Sequence, residues 1–201
     1  QYWRKFCCSS VSDIGTLSMK PAPVVLILAA GRAERFYASG GEVHKLDASL
    51  AGKPVLSWVL EAVSASGLAY HLVRPVGGSQ GMGESIALGV RATHQANGWL
   101  ILPGDLPFVV PSTLTEVAKA MQDDSIVLPH YRQQPGHPVG FGREYYARLA
   151  TLIGDEGAKH FVAAARTQGQ VRKLNLNDSG IVQDIDTLDD LAQAQRCIKR
   201  S

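Results

Sequence analysis

Asp105 stands directly behind the aliphatic run Trp99-Leu100-Ile101-Leu102, in the turn Pro103-Gly104-Asp105-Leu106-Pro107. Arg35 and Lys45 follow a second aliphatic run, Val24-Val25-Leu26-Ile27-Leu28, beyond the small-residue turn Ala29-Ala30-Gly31. These residue types suit the handling of phosphates. Successive N–H groups in a glycine turn can point at an anion where no side chain blocks its approach. Two cations offset the negative charges of a triphosphate. A carboxylate at a strand end offers the oxygen donor that Mg2+ prefers, since this ion keeps several waters and takes one or two carboxylates plus substrate phosphates. The plainer reading is a tight turn with solvated Arg35 and Lys45, and an aspartate capping its own loop.

Three further groups carry polar chemistry. Gly81-Met82-Gly83-Glu84-Ser85 opens a helix, where a nucleoside can lie against backbone N–H groups and the Ser85 hydroxyl. Glycine-rich helix starts are also frequent without any ligand. His137, between Gly136 and Pro138, is placed either to donate to a substrate or to satisfy the interior. Asp184-Ile185-Asp186 reads as part of a strand, whose alternation puts both carboxylates on one face as further metal ligands beside Asp105. Asp186 is equally placed to cap the helix that follows. The chain has neither G-x-G-x-x-G nor G-x-x-x-x-G-K-[ST], which excludes the usual dinucleotide fingerprint and an ordinary P-loop.

The elements that must hold these groups alternate. Val24 to Leu28 reads as a strand buried on both faces. Residues 32–53 read as a long connection with a mobile part around Gly40-Gly41. Val55 to Ser66 has helical spacing at Val55, Leu56, Val59, Leu60 and Val63. Tyr70 to Val73 is a short strand, and Glu84 to about Gln95 a helix with Ile86, Leu88 and Val90 facing inward. Trp99 to Leu102 is a strand, Pro111 to about Gln122 a helix, and Ser125 to Leu128 a strand. A polar turn from Pro135 leads into an extended segment. Arg143 to Ile153 reads as helix, Gly154 to Gly157 as a break, and a second helix runs to about Thr167. Val171 to Leu176 is extended, Ile181 to Ile185 a last strand, and Thr187 caps a terminal helix with Asp189 and Asp190 in its first turn. This alternation predicts a single three-layer α/β, Rossmann-like domain with a mostly parallel sheet covered on both faces. Ligands then bind at the C-terminal strand ends, where the turns after Leu28 and Leu102 lie.

Composition narrows the function. The 201 residues are 45% apolar and 19% charged, with 20 basic and 18 acidic residues for a net charge of +2. That balance gives no case for a nucleic-acid or membrane surface, and no apolar run approaches the roughly 20 residues that span a bilayer. The cysteines are Cys7, Cys8 and Cys197, odd in number and without Cys-x-x-Cys spacing. A disulfide framework or cysteine zinc site is disfavoured, and a reducing cytoplasm fits best. Residues 1–18 follow no clean period and have no continuous apolar core of a secretory signal. We expect them to be a disordered or extraneous extension ahead of a start at Met19, with 19–201 as the folded domain.

Taken together, the motifs resemble one family. Leu28-Ala29-Ala30-Gly31 with Arg35 and Lys45 resembles the L-A-A-G…R…K signature of MobA-like nucleotidyltransferases. Gly81 to Ser85, Pro103 to Pro107, Gly136-His137-Pro138-Val139, Gly154-Asp155-Glu156-Gly157-Ala158 and Asp184-Ile185-Asp186-Thr187 match in order, over about residues 23–198. The sequence is most similar to the molybdenum cofactor cytidylyltransferase branch. It has Ala-Ala-Gly where the guanylyl branch usually has Ala-Gly-Gly, and Gly-His-Pro-Val is typical of the cytidylyl side. The resemblance implies a fold of the nucleotide-diphospho-sugar transferase type, CTP as nucleotide, Mg2+ as cofactor, a molybdopterin-type acceptor and a molybdoenzyme client. It implies that Arg35, Lys45 and Asp105 are catalytic, and that Leu28, Ala29, Ala30, Gly31, Gly81, Met82, Gly83 and Ser85 bind nucleotide. His137 and Asp155 would lie toward the acceptor, and Asp105, Asp184 and Asp186 toward the metal.

Two departures matter. The interval from Arg35 to Lys45 is longer than the family's usual spacing, which leaves His44 or Arg32 as alternatives for part of the role of Lys45. The segment between Gly67 and Gly81 is shorter than in most members, so the sheet edge that helps shape the base pocket is expected to be trimmed. The competing readings are a sugar-phosphate or isoprenoid-precursor nucleotidyltransferase, and a carrier that binds molybdenum cofactor without turnover.

Overall fold

A computed structural model describes residues 22–121, 126–155 and 157–199. The expectation for residues 1–18 lies outside the described residues, as do Gln122 to Ser125, where the third strand was expected to begin. In chain order the elements are β1 (Val24–Leu28), α1 (Glu34–Ala38), β2 (Ser49–Leu50), β3 (Lys53–Pro54), α2 (Val55–Ser66), β4 (Tyr70–Val73), α3 (Met82–Ala92), β5 (Gly98–Pro103) and α4 (Pro111–Ala120). There follow β6 (Ile126–Tyr131), β7 (Gln134–Pro135), β8 (Val139–Gly142), a 3-10 turn (Arg143–Tyr145), α5 (Tyr146–Leu149), α6 (Lys159–Thr167), β9 (Val171–Asn175), a 3-10 helix (Ser179–Val182) and α7 (Leu188–Ile198).

Among the described residues the sheet has seven strands, ordered β4-β1-β5-β8-β6-β7 with β9 also paired to β6. β4, β1 and β5 are parallel neighbours, as are β6 and β9. Alternate residues of the central strands enter two cores. Val25, Ile27, Leu100 and Leu102 pack with α2 and α4, where Val59, Val63, Leu114 and Val117 are fully buried. Leu26, Trp99 and Ile101 pack on the other face with Ile86 and Val90 of α3, Leu149 of α5 and Ala165 of α6. Side chains on both faces explain why these strands read as continuous aliphatic runs. The three-layer α/β architecture matches the sequence reading.

Four details differ from it. β8 runs antiparallel between β5 and β6. Only a tight turn, with Arg132 and Gln133 at positive φ, separates β6 from its antiparallel partner β7, and a few residues lead on into β8. A parallel return needs a crossover of a dozen or more residues, for which there is no chain here. The 32–53 connection is a folded segment: α1 and the β2–β3 hairpin lie within it, and Gly40 and Gly41 are closed by hydrogen bonds to Tyr37 and Phe36. The helix expected across Arg143 to Ile153 is confined to the 3-10 turn and the four residues of α5. Ile181 to Ile185 is not a strand. Asp178 accepts from the Gly180 N–H and bends the chain into a 3-10 helix that ends at Val182. The segment after Gly67 supplies only β4, at the sheet edge, before turns lead to α3. Among the described residues no helix is long and apolar enough to cross a membrane.

Candidate active site

The strand register brings the two chemistry-bearing turns together. Leu28 at the end of β1 lies opposite Val73 of β4 and Pro103 of β5, and the Gly104 N–H donates to the Leu28 carbonyl at 2.9 Å. The turn that holds Gly31 and the turn that holds Asp105 are therefore neighbours by sheet geometry. The Ser79 N–H donates to the Ala30 carbonyl at 3.2 Å, which brings the loop ahead of α3 to the same edge. These turns line a cleft of about 800 Å³, together with the Gln134–His137 strap and the segment after Ile181.

At its floor Lys45 joins two carboxylates. Its ammonium donates to Asp105 Oδ2 at 2.6 Å and to Asp186 Oδ1 at 2.7 Å, and its side chain is only 14% exposed. Burial works against the charged form of Lys45, but Asp105 and Asp186 outweigh it and hold the pKa above the usual lysine value. Asp184 completes the group: one carboxylate oxygen from each of Asp105, Asp184 and Asp186 lies within 4.8 Å of the others. Partial burial, then the negative charges of Asp105 and Asp186, push the Asp184 pKa up. Arg35 forms an ion pair with Asp186 from an exposed position.

The groups that hold these side chains come from distant stretches. The Asp105 carbonyl accepts from the Ile185 N–H at 3.0 Å, which lays the 184–186 segment along the Asp105 turn. The Asp190 carboxylate accepts from the N–H groups of Asp186 and Thr187, at 3.1 and 2.8 Å, while Thr187 Oγ1 accepts from the Asp190 N–H. This capping box at the start of α7 fixes the backbone of Asp186. Ser39, just after α1, accepts from the Leu188 N–H at 3.0 Å, so α1 docks on the same helix start and carries Arg35 to Asp186. The long 35–45 interval thus forms a small folded unit that delivers Lys45 to Asp105.

The structure places the predicted site residues unequally. Leu28, Ala30, Gly31, Arg35, Lys45, Gly81, Met82, Ser85, Asp105, His137, Asp155, Asp184 and Asp186 all line the cleft. Ala29 does not; it is 3% exposed and belongs to the α2-side core. Gly83 does not either, because its N–H donates to the Gly154 carbonyl at 2.8 Å and a Cβ there would meet the Ile153 carbonyl at 2.6 Å. The absence of a side chain at Gly83 admits the chain's own 153–155 loop, which seats Asp155 beside Gly81. The Ser85 hydroxyl is buried and occupied by Ser79 Oγ at 2.7 Å and the Gly81 carbonyl at 3.1 Å, so it shapes the loop. Asp184 and Asp186 reach Asp105 as expected, but from an irregular segment instead of a strand. The cap of α7 is Thr187 with Asp190, which leaves the Asp186 carboxylate to the cleft.

His137 is held by its own N–H to the Ile181 carbonyl at 3.0 Å, and Gly136 permits the close approach because a Cβ there would meet the same carbonyl at 2.5 Å. Burial keeps the His137 ring neutral by pushing its pKa down, against a hydrogen bond with the Ile101 backbone and the charge of Asp105. Among the described residues, two buried side-chain polar atoms lack a hydrogen-bond partner, Asp105 Oδ1 and His137 Nδ1, and both residues line the cleft. An orphaned carboxylate oxygen amid three all-oxygen donors fits a hard divalent cation. Sequence reading passed over Ser79, Gln134 and Lys159, which also line the cleft. The signal for Lys159 was its place in the first turn of a helix four residues after Asp155.

A family model for the MobA-like NTP transferase domain matches residues 67–171, just over half of the chain. The chain belongs to that family. Its fold is shared with solved structures that include a nucleotidyl transferase. Rv0371c from Mycobacterium tuberculosis H37Rv is 26% identical, covering 88% of this chain and 98% of that one at a TM-score of 0.69; Rv0371c has also been solved in complex with manganese. A nucleotidyl transferase from Methanothermobacter thermautotrophicus, Mth528, is 21% identical over 89% of this chain and 98% of that chain, with a TM-score of 0.72. Molybdopterin-guanine dinucleotide biosynthesis protein A from Archaeoglobus fulgidus is 17% identical over 89% of this chain and all of that chain (100%), with a TM-score of 0.60. Among curated proteins, 25 residues are 80% identical to YagP of Escherichia coli (strain K12), described as a LysR family substrate binding domain-containing protein. That match spans 12% of this chain and 18% of YagP. The domain is of the nucleotidyltransferase type, and its acidic cluster suits a divalent metal.

Proposed function

We propose that this protein transfers CMP from CTP to the phosphate of a molybdopterin-type acceptor and releases pyrophosphate. The observation that carries the reading is the meeting of Lys45 with Asp105, Asp184 and Asp186 in the cleft lined by the Gly31 turn. An acceptor phosphate oxygen attacks the α-phosphorus. The new P–O bond forms as the bond to the α,β-bridging oxygen breaks, and pyrophosphate leaves with that electron pair. Little covalent work falls to the protein, so its residues position and neutralise. Arg35 and Lys45 neutralise the phosphates and the leaving group. Gly81, Met82 and the turn from Leu28 to Gly31 hold the nucleotide, with Ala29, Gly83 and Ser85 supporting from behind. His137 and Asp155 face the acceptor.

Asp105, Asp184 and Asp186 would hold Mg2+. Bound there, the ion supplies charge neutralisation and orientation of phosphate oxygens. The manganese complex of Rv0371c supports a divalent ion at this fold. The choice of CTP rests on Ala-Ala-Gly at 29–31 and on Gly136-His137-Pro138-Val139. The molybdopterin-type acceptor and a molybdoenzyme client rest on the same resemblance, and a cytoplasmic location rests on the odd, unpaired spacing of the cysteines.

The test is pyrophosphate release from each of the four NTPs, with and without molybdopterin and Mg2+. Release is expected with CTP when both are present, and is expected to vanish in Asp105→Ala while the fold persists. Release with GTP instead would overturn the base assignment. No release under any condition would overturn turnover and leave the cofactor-carrier reading.

A further inference from the structure

We propose that His44 is a positioning residue that locks the phosphate turn to the Lys45 arm, through a ring tautomer carrying its proton on Nε2. The Leu46 N–H donates to His44 Nδ1 at 3.2 Å, so Nδ1 is an acceptor and carries no proton. Nε2 therefore bears the N–H, and it lies 2.7 Å from the Gly31 carbonyl oxygen. The backbone of His44 is fixed as well: its carbonyl accepts from the N–H groups of Asp47 and Ala48, at 2.8 and 3.1 Å. Leu46 is 3% exposed in the α2-side core, and its carbonyl accepts from the Leu56 N–H at 3.0 Å. One imidazole thus joins a segment anchored to α2 to a turn anchored to β1. Lys45 is the residue between the two anchors.

This bears on anion binding in two ways. A carbonyl oxygen is the negative end of the peptide dipole, and one left free in an anion-binding turn would repel a phosphate. The His44 N–H occupies the Gly31 carbonyl. Lys45 must also stay within reach of both the turn and Asp105, and the His44 bridge sets that spacing across an interval of 13 residues. The proposal rests on the reading of Lys45 and the Gly31 turn as phosphate-binding groups. It adds a residue in the cleft wall that acts through the Gly31 turn and the Lys45 arm.

Three substitutions separate the two ring contacts. His44→Asn keeps an acceptor near the place of Nδ1 but does not reach Gly31. His44→Gln reaches Gly31 with an amide donor. His44→Ala loses both contacts. We expect the KM and Kd for CTP to rise about fivefold or more in the Ala and Asn variants, with kcat changed less than about twofold, and to stay near wild type in the Gln variant. Thermal melts of the Asn and Gln variants should match wild type. Ring nitrogen shifts in 15N NMR should show protonation at Nε2 alone. Unchanged CTP affinity in both Ala and Asn, or an affinity loss in Gln equal to that in Ala, or a proton on Nδ1, would each overturn the proposal. If the wild type binds and turns over no nucleotide, the functional reading falls, and slow solvent exchange of the His44 Nε2 proton, lost when the fold is denatured, decides whether His44 bridges the two segments.

Discussion

Lys45 sits where two demands meet. Its ammonium lies 2.6 Å from Asp105 Oδ2 and 2.7 Å from Asp186 Oδ1, on two of the three carboxylates that form the oxygen cluster. A lysine ammonium and a divalent cation compete for those oxygens, yet both are wanted by a triphosphate. Lys45→Met should therefore bind Mn2+ more tightly in the absence of nucleotide, by about tenfold, the worth of one charge-assisted contact. The same variant should use CTP less well. Calorimetric titration with Mn2+ reads the first effect, and equal affinity in wild type and variant would show that the ammonium does not oppose the metal. Asp105 stands out in the sequence as a carboxylate directly behind an aliphatic strand, Arg35 and Lys45 as cations after the Gly31 turn, and Asp184 and Asp186 as a pair of carboxylates one residue apart, though not on the strand their spacing suggests. That Asp105 and Asp186 share one ammonium was not legible, because 81 residues separate them and only the fold closes that distance.

At the scale of elements, the segment between β9 and α7 decides the cleft. Its hydrophobic spacing at Ile181, Val182 and Ile185 suggested a strand. The turn residues Asn177-Asp178-Ser179-Gly180 ahead of it carry more weight. The Asp178 carboxylate is buried and accepts from Gly180 N at 2.8 Å, Val110 N at 3.2 Å and Thr113 Oγ1 at 2.7 Å. It satisfies three donors on two elements and sets the path to Asp184. Asp178→Ala should cost about 2–4 kcal/mol of stability, from buried donors left unpaired. Urea denaturation checks this, and a loss under about 0.5 kcal/mol would show that the 3-10 helix stands without it. The terminal helix was the easier element. Thr187 with Asp189 and Asp190 is a local cap signal; the Thr187 cap appears as expected, and Asp190 turns it into a capping box. Local side-chain-to-backbone bonds are written in adjacent residues; the partners of Asp178 at Val110 and Thr113 are not.

For the molecule as a whole, His137 ties the cleft to global stability. Burial holds its pKa below the ordinary value of 6.5. As pH falls below about 6.5, the unfolded chain gains a proton at His137 that the folded chain refuses. The stability present above that pH is then lost progressively as pH falls toward the folded pKa. His137→Gln should remove this part of the slope. Denaturant unfolding of both proteins across pH 5 to 8 reads the difference, and parallel profiles would show that His137 is not held neutral by the fold. Asp184 works in the opposite sense: its raised pKa lets the folded chain take up a proton above the ordinary carboxylate value, so acidification through that range favours the folded state at this residue.

The sequence by itself determined the three-layer α/β class, α2 to its ends, the run of β1 and β5, the cap of α7 and the place of Asp105 at a strand end. Each of these is a local pattern: aliphatic runs, helical spacing, a Thr-x-x-Asp box. Tertiary structure alone decided that β8 turns back between β5 and β6, since chirality and chain length act only once the sheet exists. It also decided that the 35–45 interval folds into a unit docked on α7 and tied by His44 to Gly31. Its register put the Asp105 turn beside the Gly31 turn. The space over Gly83 went to the 153–155 loop by the same packing. Each of these facts depends on residues far apart in sequence sharing one small volume, and no local pattern records which of them will meet.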